Sequence, residues 1–147
     1  MAYTYDADKI RGFKQTHQPS PWINDYGQFA IMPVTGKAVF NQDERASWFS
    51  HKAETATPYY YKVYLADHDV VTEIAPTERA AAFRFTFPEN DHSYVVVDAF
   101  DKGSFVKVIP SETRLSVIPL KTAVVFLPTL KTTLYWYSTN RLLIRLP

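Results

Sequence analysis

The chain has 147 residues, 16 Lys+Arg against 15 Asp+Glu, and no Cys. That length suggests one domain able to bury a core, and the lack of cysteine excludes a disulfide framework and a thiolate metal site. Ten Tyr, ten Phe and three Trp favour strands, ten Pro spread along the chain oppose long helices, and no stretch of about 20 apolar residues is present to span a membrane.

In chain order, Met1 to Asp8 is polar and has no apolar signal-peptide core. Phe29 to Val34 is an apolar run closed by the turn pair Thr35-Gly36. Tyr59 to Leu65 follows Pro58 and is rich in strand formers; Asp67-His68-Asp69 is a turn before the next strand, Val70 to Ala75. Ala81, Phe83, Phe85 and Phe87 alternate with Ala82, Arg84 and Thr86, a period of two that predicts the phenylalanines on one buried face. Pro88 to His92 is a turn, and Tyr94 to Ala99 is a nearly continuous apolar run, as in a strand covered on both faces. Phe105 to Ile109 is a further strand, ended by Pro110. Strands at this spacing predict an all-β fold, an incomplete antiparallel β-sandwich with long loops. The two long loops are Gln15 to Gln28 and Asn41 to Pro58, and long irregular segments in a compact domain are often functional.

The net charge of +1 hides an asymmetry. Residues 1–112 carry eleven Lys+Arg and all fifteen Asp+Glu, a balance of −4, whereas residues 113–147 carry five Lys+Arg and no acid. Leu65 is the only leucine before residue 113, eight follow it, and the last glycine is Gly103. Such a basic tail taken at face value suggests a structural or nucleic-acid-binding protein whose binding would depend on salt.

Among the chemistry-bearing residues, Asp67, Asp69, Glu89 and Asp91 flank turns without EF-hand spacing and read as solvated turn carboxylates. Asp98 and Asp101 read as structural. His17, His51, His68 and His92 are too scattered to define a metal site; His68 and His92 are expected to be exposed turn residues, and His51 to order an interface.

The segment Trp48-Phe49-Ser50-His51-Lys52-Ala53-Glu54-Thr55-Ala56-Thr57-Pro58-Tyr59-Tyr60-Tyr61-Lys62-Val63-Tyr64-Leu65 resembles a signature of glycoside hydrolase family 92, F-S-H-K-N-E-x-A-T-P-G-Y-Y-x-V-x-L. Gly12-Phe13-Lys14-Gln15-Thr16-His17 and the stretch Asp25-Tyr26-Gly27 to Gly36 resemble its G-F-x-x-T-H and D-x-G-x-x-x-x-M-P-x-x-G motifs, and the likeness continues through Thr77-Glu78-Arg79 and Phe83 to Pro88 to the strand Tyr94 to Asp98. Tyr59 stands where the family usually has Gly, and Gln18-Pro19-Ser20-Pro21-Trp22 replaces the commoner L-S-G loop. The resemblance implies part of the N-terminal β-sandwich domain of an inverting, calcium-dependent exo-α-mannosidase that is periplasmic or secreted and acts on α-mannoside glycans. It also implies that a helical-barrel domain, not matched by this chain, carries the catalytic carboxylates and most calcium ligands. Residues 1–147 are then expected to bind no calcium, to be inactive alone, and to have no nucleic-acid or membrane partner. The family's N-terminal domain lends loops to the outer sugar pocket, which makes Trp22 a candidate stacking platform and His17, Gln18 and Asp25 its hydrogen-bonding neighbours. A stand-alone carbohydrate-binding β-sandwich using Trp22 or Trp48 is the alternative.

The resemblance covers residues 3–112 and ends where the composition changes. Glu112-Thr113-Arg114-Leu115 can be written GAA ACA AGA TTA, and one added adenine gives GAA AAC AAG ATT, or Glu-Asn-Lys-Ile, after which the shifted frame continues in family-like sequence. Residues 113–147 are therefore expected to be an out-of-frame tail. Their apolar runs, Val124 to Leu127 and Leu142 to Leu146, would be aggregation hazards. Sequencing the locus checks this: one base restores a frame that runs on, whereas an intact adenine run with codons that forbid the shifted reading sinks it.

Overall fold

A computed structural model describes residues 5–14, 29–77 and 80–99, together with the backbone of strands between 104 and 145. There is no helix among the described residues, and every pairing whose register is given is antiparallel. The described residues are all-β, in several antiparallel sheets, the class that the strand spacing predicts. It divides into two compact units, Met1–Arg11 with Pro33–Ser93, and Gly12–Met32 with Tyr94–Pro147.

In the first unit, β1 (Lys9–Ile10) pairs with β4 (Ser47–Trp48). A four-stranded sheet follows the order β5 (Thr55–Thr57), β6 (Tyr60–Leu65), β7 (Val70–Pro76) and β8 (Ala81–Thr86). In this sheet Val63 faces Thr72 and Thr72 faces Phe85; Leu65 faces Val70. Val63, Leu65, Val70 and Thr72 are fully buried, and each large aliphatic among them contributes roughly 1.5–3 kcal/mol. The β6–β7 turn is Ala66 to Asp69, and Asp69 takes a left-handed φ of 52° that Asp tolerates better than most residues.

The phenylalanine alternation is real, but its burial is not complete. Phe83, Phe85 and Phe87 are half-buried, with neighbouring ring centroids 5.8 and 6.3 Å apart. β8 ends the sheet order, so its side chains have a cross-strand neighbour on one side only. Periodicity shows which side chains share a face; how deeply that face is covered depends on position in the sheet.

The second unit holds most of a five-stranded sheet of β2 (Phe13–Lys14), β3 (Phe29–Thr35), β9 (Ser93–Ala99), β13 (Thr133–Ser138) and β14 (Arg141–Arg145), in the order β13-β14-β9-β3-β2. β9 is buried at all seven positions, Ser93 and Asp98 included, and the nearly continuous apolar run Tyr94 to Ala99 predicts such burial. Pro33 lies in β3 past the two-residue pairing with β2 (Phe13 with Ile31, Lys14 with Ala30), on a stretch that β2 does not flank. A three-stranded sheet joins β10 (Ser104–Ile109), β11 (Arg114–Pro119) and β12 (Ala123–Phe126). β14 pairs with β9 from Arg141 opposite Asp98 to Arg145 opposite Tyr94.

Thr72 Oγ1 is buried without a hydrogen-bond partner, and an unsatisfied hydroxyl costs about 1 kcal/mol or more. In urea denaturation, Thr72→Val is expected to leave stability unchanged or raise it by about 1 kcal/mol. Leu65→Ala at the same face is expected to lower it by about 2–5 kcal/mol.

Candidate functional site

His17, Gln18, Trp22 and Asp25, the residues expected to meet a sugar, lie outside the described residues. The other long loop, Asn41 to Pro58, is described throughout. It contains the short strands β4 and β5, and its remainder is built from two side-chain-directed turns. Asn41 Oδ1 accepts from the amides of Asp43 (2.9 Å) and Glu44 (3.3 Å), and the Asn41 carbonyl accepts from the Arg45 amide (3.0 Å). This is the local chemistry by which Asn competes with regular structure. Ser50 does the same one turn later: its Oγ accepts from the Lys52 amide (3.3 Å) and its carbonyl from the Ala53 amide (2.9 Å).

The first turn delivers Arg45 into the interior, where it is 1 % exposed. Its Nε donates to the Arg11 carbonyl (3.0 Å) and its Nη1 to the Phe40 carbonyl (2.9 Å). A buried charge is tolerable only when its donors are matched this way. Sequence reasoning did not single out Arg45; the signal available was Asn41 four residues before it.

The second turn brings Glu54 back to His51. His51 Nδ1 lies 2.6 Å from Glu54 Oε1, and Nε2 lies 3.1 Å from the Ala7 carbonyl. The Tyr61 hydroxyl donates to Glu54 Oε2 (2.8 Å). The His51 ring stacks on Tyr5 (4.4 Å, 17°) and meets Phe49 edge-on (4.8 Å, 76°). Its hydrogen bond to Glu54 holds the His51 pKa above the ordinary 6.5 against the opposing effect of desolvation. His51 thus ties its own loop to segment 5–8 through Ala7 and Tyr5.

His68 corrects the sequence expectation. It is half-buried, not an exposed turn residue. Its Nε2 donates to the Arg45 carbonyl (2.9 Å), its Nδ1 accepts from the Thr35 amide (3.4 Å), and its carbonyl accepts from Thr35 Oγ1 (2.9 Å). The distant partners Thr35 and Arg45 turn a turn residue into a tie between loops. Asp67 is exposed as expected, yet its Oδ2 accepts from the Trp48 amide (2.6 Å), while its own amide donates to Ser47 Oγ (3.0 Å). Asp69 is also exposed and accepts from the Tyr64 hydroxyl (2.8 Å), which raises the Tyr64 pKa. Glu89, Asp91 and His92 are exposed, and Asp98 is buried in β9.

On the outer face of the four-stranded sheet, Lys62, Glu73 and Arg84 are successive cross-strand neighbours. The Tyr60 hydroxyl donates to Glu73 Oε1 (2.6 Å) and Arg84 Nη1 stands 3.6 Å from Oε2. The Tyr60 hydrogen bond, then the cations Arg84 and Lys62, hold the Glu73 carboxyl below its usual range, and Glu73 pushes the Tyr60 hydroxyl up. Trp48 is 48 % and Tyr59 73 % exposed. An open groove of about 450 Å³ is lined by Lys9, Lys37, Asp43, Glu44, Asp67 and His68, among others. Among the described residues no group of three or more His, Asp and Glu side chains could hold a metal ion, and no described helix is long and apolar enough to cross a membrane.

Comparison with known proteins shows the family to which these loops belong. The model of the glycosyl hydrolase family 92 N-terminal domain matches residues 1–125. The chain belongs to glycosyl hydrolase family 92. That match runs past residue 112, where the composition changes. An inverting mannosidase of family 92 from Bacteroides thetaiotaomicron VPI-5482 is 46 % identical over 78 % of the chain, with a TM-score of 0.69, and the match covers 16 % of that protein. A family 92 α-mannosidase from Bacteroides thetaiotaomicron shares the fold at 23 % identity, over 98 % of the chain and 25 % of its own, with a TM-score of 0.67. A further family 92 glycosyl hydrolase matches 78 % of the chain and 18 % of its own at a TM-score of 0.62 and 23 % identity. The chain thus spans a quarter or less of the solved proteins it matches. No curated protein matches it significantly.

Arg45→Ala is expected to cost about 3 kcal/mol, because it removes the charge-assisted hydrogen bonds to the Arg11 and Phe40 carbonyls. Arg45→Lys is expected to recover only part of this, since an ammonium lacks the planar fork. Equilibrium denaturation in guanidinium chloride measures both.

Proposed function

We propose that this family 92 chain is the N-terminal, substrate-positioning domain of an inverting α-mannosidase, with the periplasmic or secreted location that the resemblance implies. The observation that carries the reading is the 46 % identity over 78 % of the chain to a protein described as an inverting mannosidase. Inverting hydrolysis of a terminal α-mannoside needs a carboxylic acid to protonate the leaving oxygen. It also needs a carboxylate, about 6.5–9.5 Å away, to activate water on the opposite face. By the family resemblance those groups belong to a helical-barrel domain, and this chain supplies pocket loops and a domain interface. Trp22 presents a flat face to the apolar C–H side of a pyranose, while His17, Gln18 and Asp25 bond its hydroxyls.

Calcium requires six to eight oxygen ligands. By the family resemblance most of the calcium ligands belong to the helical-barrel domain. The tail, residues 113–147, is read from its composition as out of frame.

The test joins this domain to the remainder of the 46 % identical mannosidase. The chain alone is expected to release nothing from an aryl α-mannoside, and the chimera to be active. Trp22→Ala in the chimera is expected to lower kcat/KM about tenfold, equivalent to one aromatic contact of about 1.4 kcal/mol. An unchanged kcat/KM sinks the positioning role. The exposed Trp48 favours the second reading, a stand-alone carbohydrate-binding module. Calorimetric binding of mannose oligosaccharides by the isolated chain would support it.

A further inference from the structure

Segment Tyr5–Arg11 is fastened along the Arg45–His51 loop like a short zip. At one end the Arg11 carbonyl accepts from Arg45 Nε. Next, Ile10 pairs with Ser47 and Lys9 with Trp48. The Asp8 carbonyl then accepts from the Phe49 amide (3.0 Å). At the far end the Ala7 carbonyl lies 3.1 Å from His51 Nε2. Backbone pairing fills the middle, and a cationic side chain closes each end.

The two ends differ chemically. A guanidinium keeps its proton throughout the range in which proteins fold, whereas an imidazole changes charge near neutrality. His51 has an acceptor at each ring nitrogen: a peptide carbonyl at Nε2 and the Glu54 carboxylate at Nδ1. A carbonyl accepts only, and the Glu54 carboxylate already accepts from Tyr61. Both contacts are satisfied together only by the doubly protonated ring. A neutral ring keeps one N–H. If it stays on Nε2, the Nδ1 lone pair faces a carboxylate; if it stays on Nδ1, Ala7 loses its donor.

We propose that His51 is a pH-sensitive latch on segment Tyr5–Ile10: the imidazolium holds Ala7 and Glu54 together, and its deprotonation releases the Ala7 end while Arg45 keeps the Arg11 end fastened. The titratable groups facing the ring are Glu54 on its own loop, Tyr61 on β6 through Glu54, and Tyr5, which stacks on it; Phe49 is uncharged. Asp6 and Asp8 on the segment and Lys52 on the loop are exposed. The sign follows from the raised pKa of His51: the contribution is fully present below 6.5 and is lost as pH rises through the higher folded value. This device is independent of any mannosidase role.

The experiment is an NMR titration of the whole chain, following the His51 ring protons and amide exchange of residues 5–10 and 49. His51 is expected to titrate above 6.5. Protection of these amides, corrected for intrinsic exchange, should fall across the same range, tenfold for each unit by which the folded value exceeds 6.5. In Glu54→Gln the His51 midpoint should move down, and in His51→Gln the protection should lose its pH dependence. Titration at or below 6.5 in the wild type overturns the proposal, as does protection that is flat across the His51 titration. The wild-type measurement decides even if a variant does not fold.

Discussion

Arg45 carries a full charge at 1 % exposure, so its position stands or falls with the carbonyls that receive its protons. Those of Arg11 and Phe40 both precede it in sequence, one on the segment that leads out of β1 and one just before the loop begins. The Arg45 carbonyl in turn receives His68, and His68 receives the Thr35 amide. One buried side chain and its backbone therefore tie the end of β3, the β6–β7 turn and segment 5–11 to a single loop. An apolar residue at this position would remove both of these donors.

Around that tie, much of the order in the loop comes from short polar side chains bonding nearby backbone. Asn41 and Ser50 each set a turn, and Asp67 caps the Trp48 amide. These contacts are individually modest, about 1 kcal/mol each. Together they replace the ladder hydrogen bonds that a loop lacks, and they hold Trp48 at the surface and His51 against Ala7. For a domain read as lending loops to a neighbouring sugar pocket, loops held in one geometry reduce the ordering cost of binding.

The outer face of the four-stranded sheet follows a different logic. Its cross-strand neighbours Lys62, Glu73 and Arg84 alternate in sign, and Tyr60 completes the set by donating to Glu73. The inner face is aliphatic near the β6–β7 turn and aromatic along β8, where burial is only partial. A period-two pattern separates these faces cleanly, but it reads the same for an edge strand and a central one.

That distinction marks how far the sequence alone reached. Residue types and their period determined the all-β class, the strands expected from Phe29, Tyr59, Val70, Ala81 and Tyr94, each starting within one residue of its observed place, and the burial of Tyr94 to Ala99, because side-chain alternation and strand propensity are local properties. The ordered motifs around Phe49-Ser50-His51-Lys52 determined the family. Only the tertiary structure decided what Arg45, His51 and His68 do. Their partners are Arg11, Ala7 and Thr35, at separations of 34, 44 and 33 residues. Local patterning carries no record of which distant carbonyl or amide a polar side chain will meet, and for these three residues the meeting is their role.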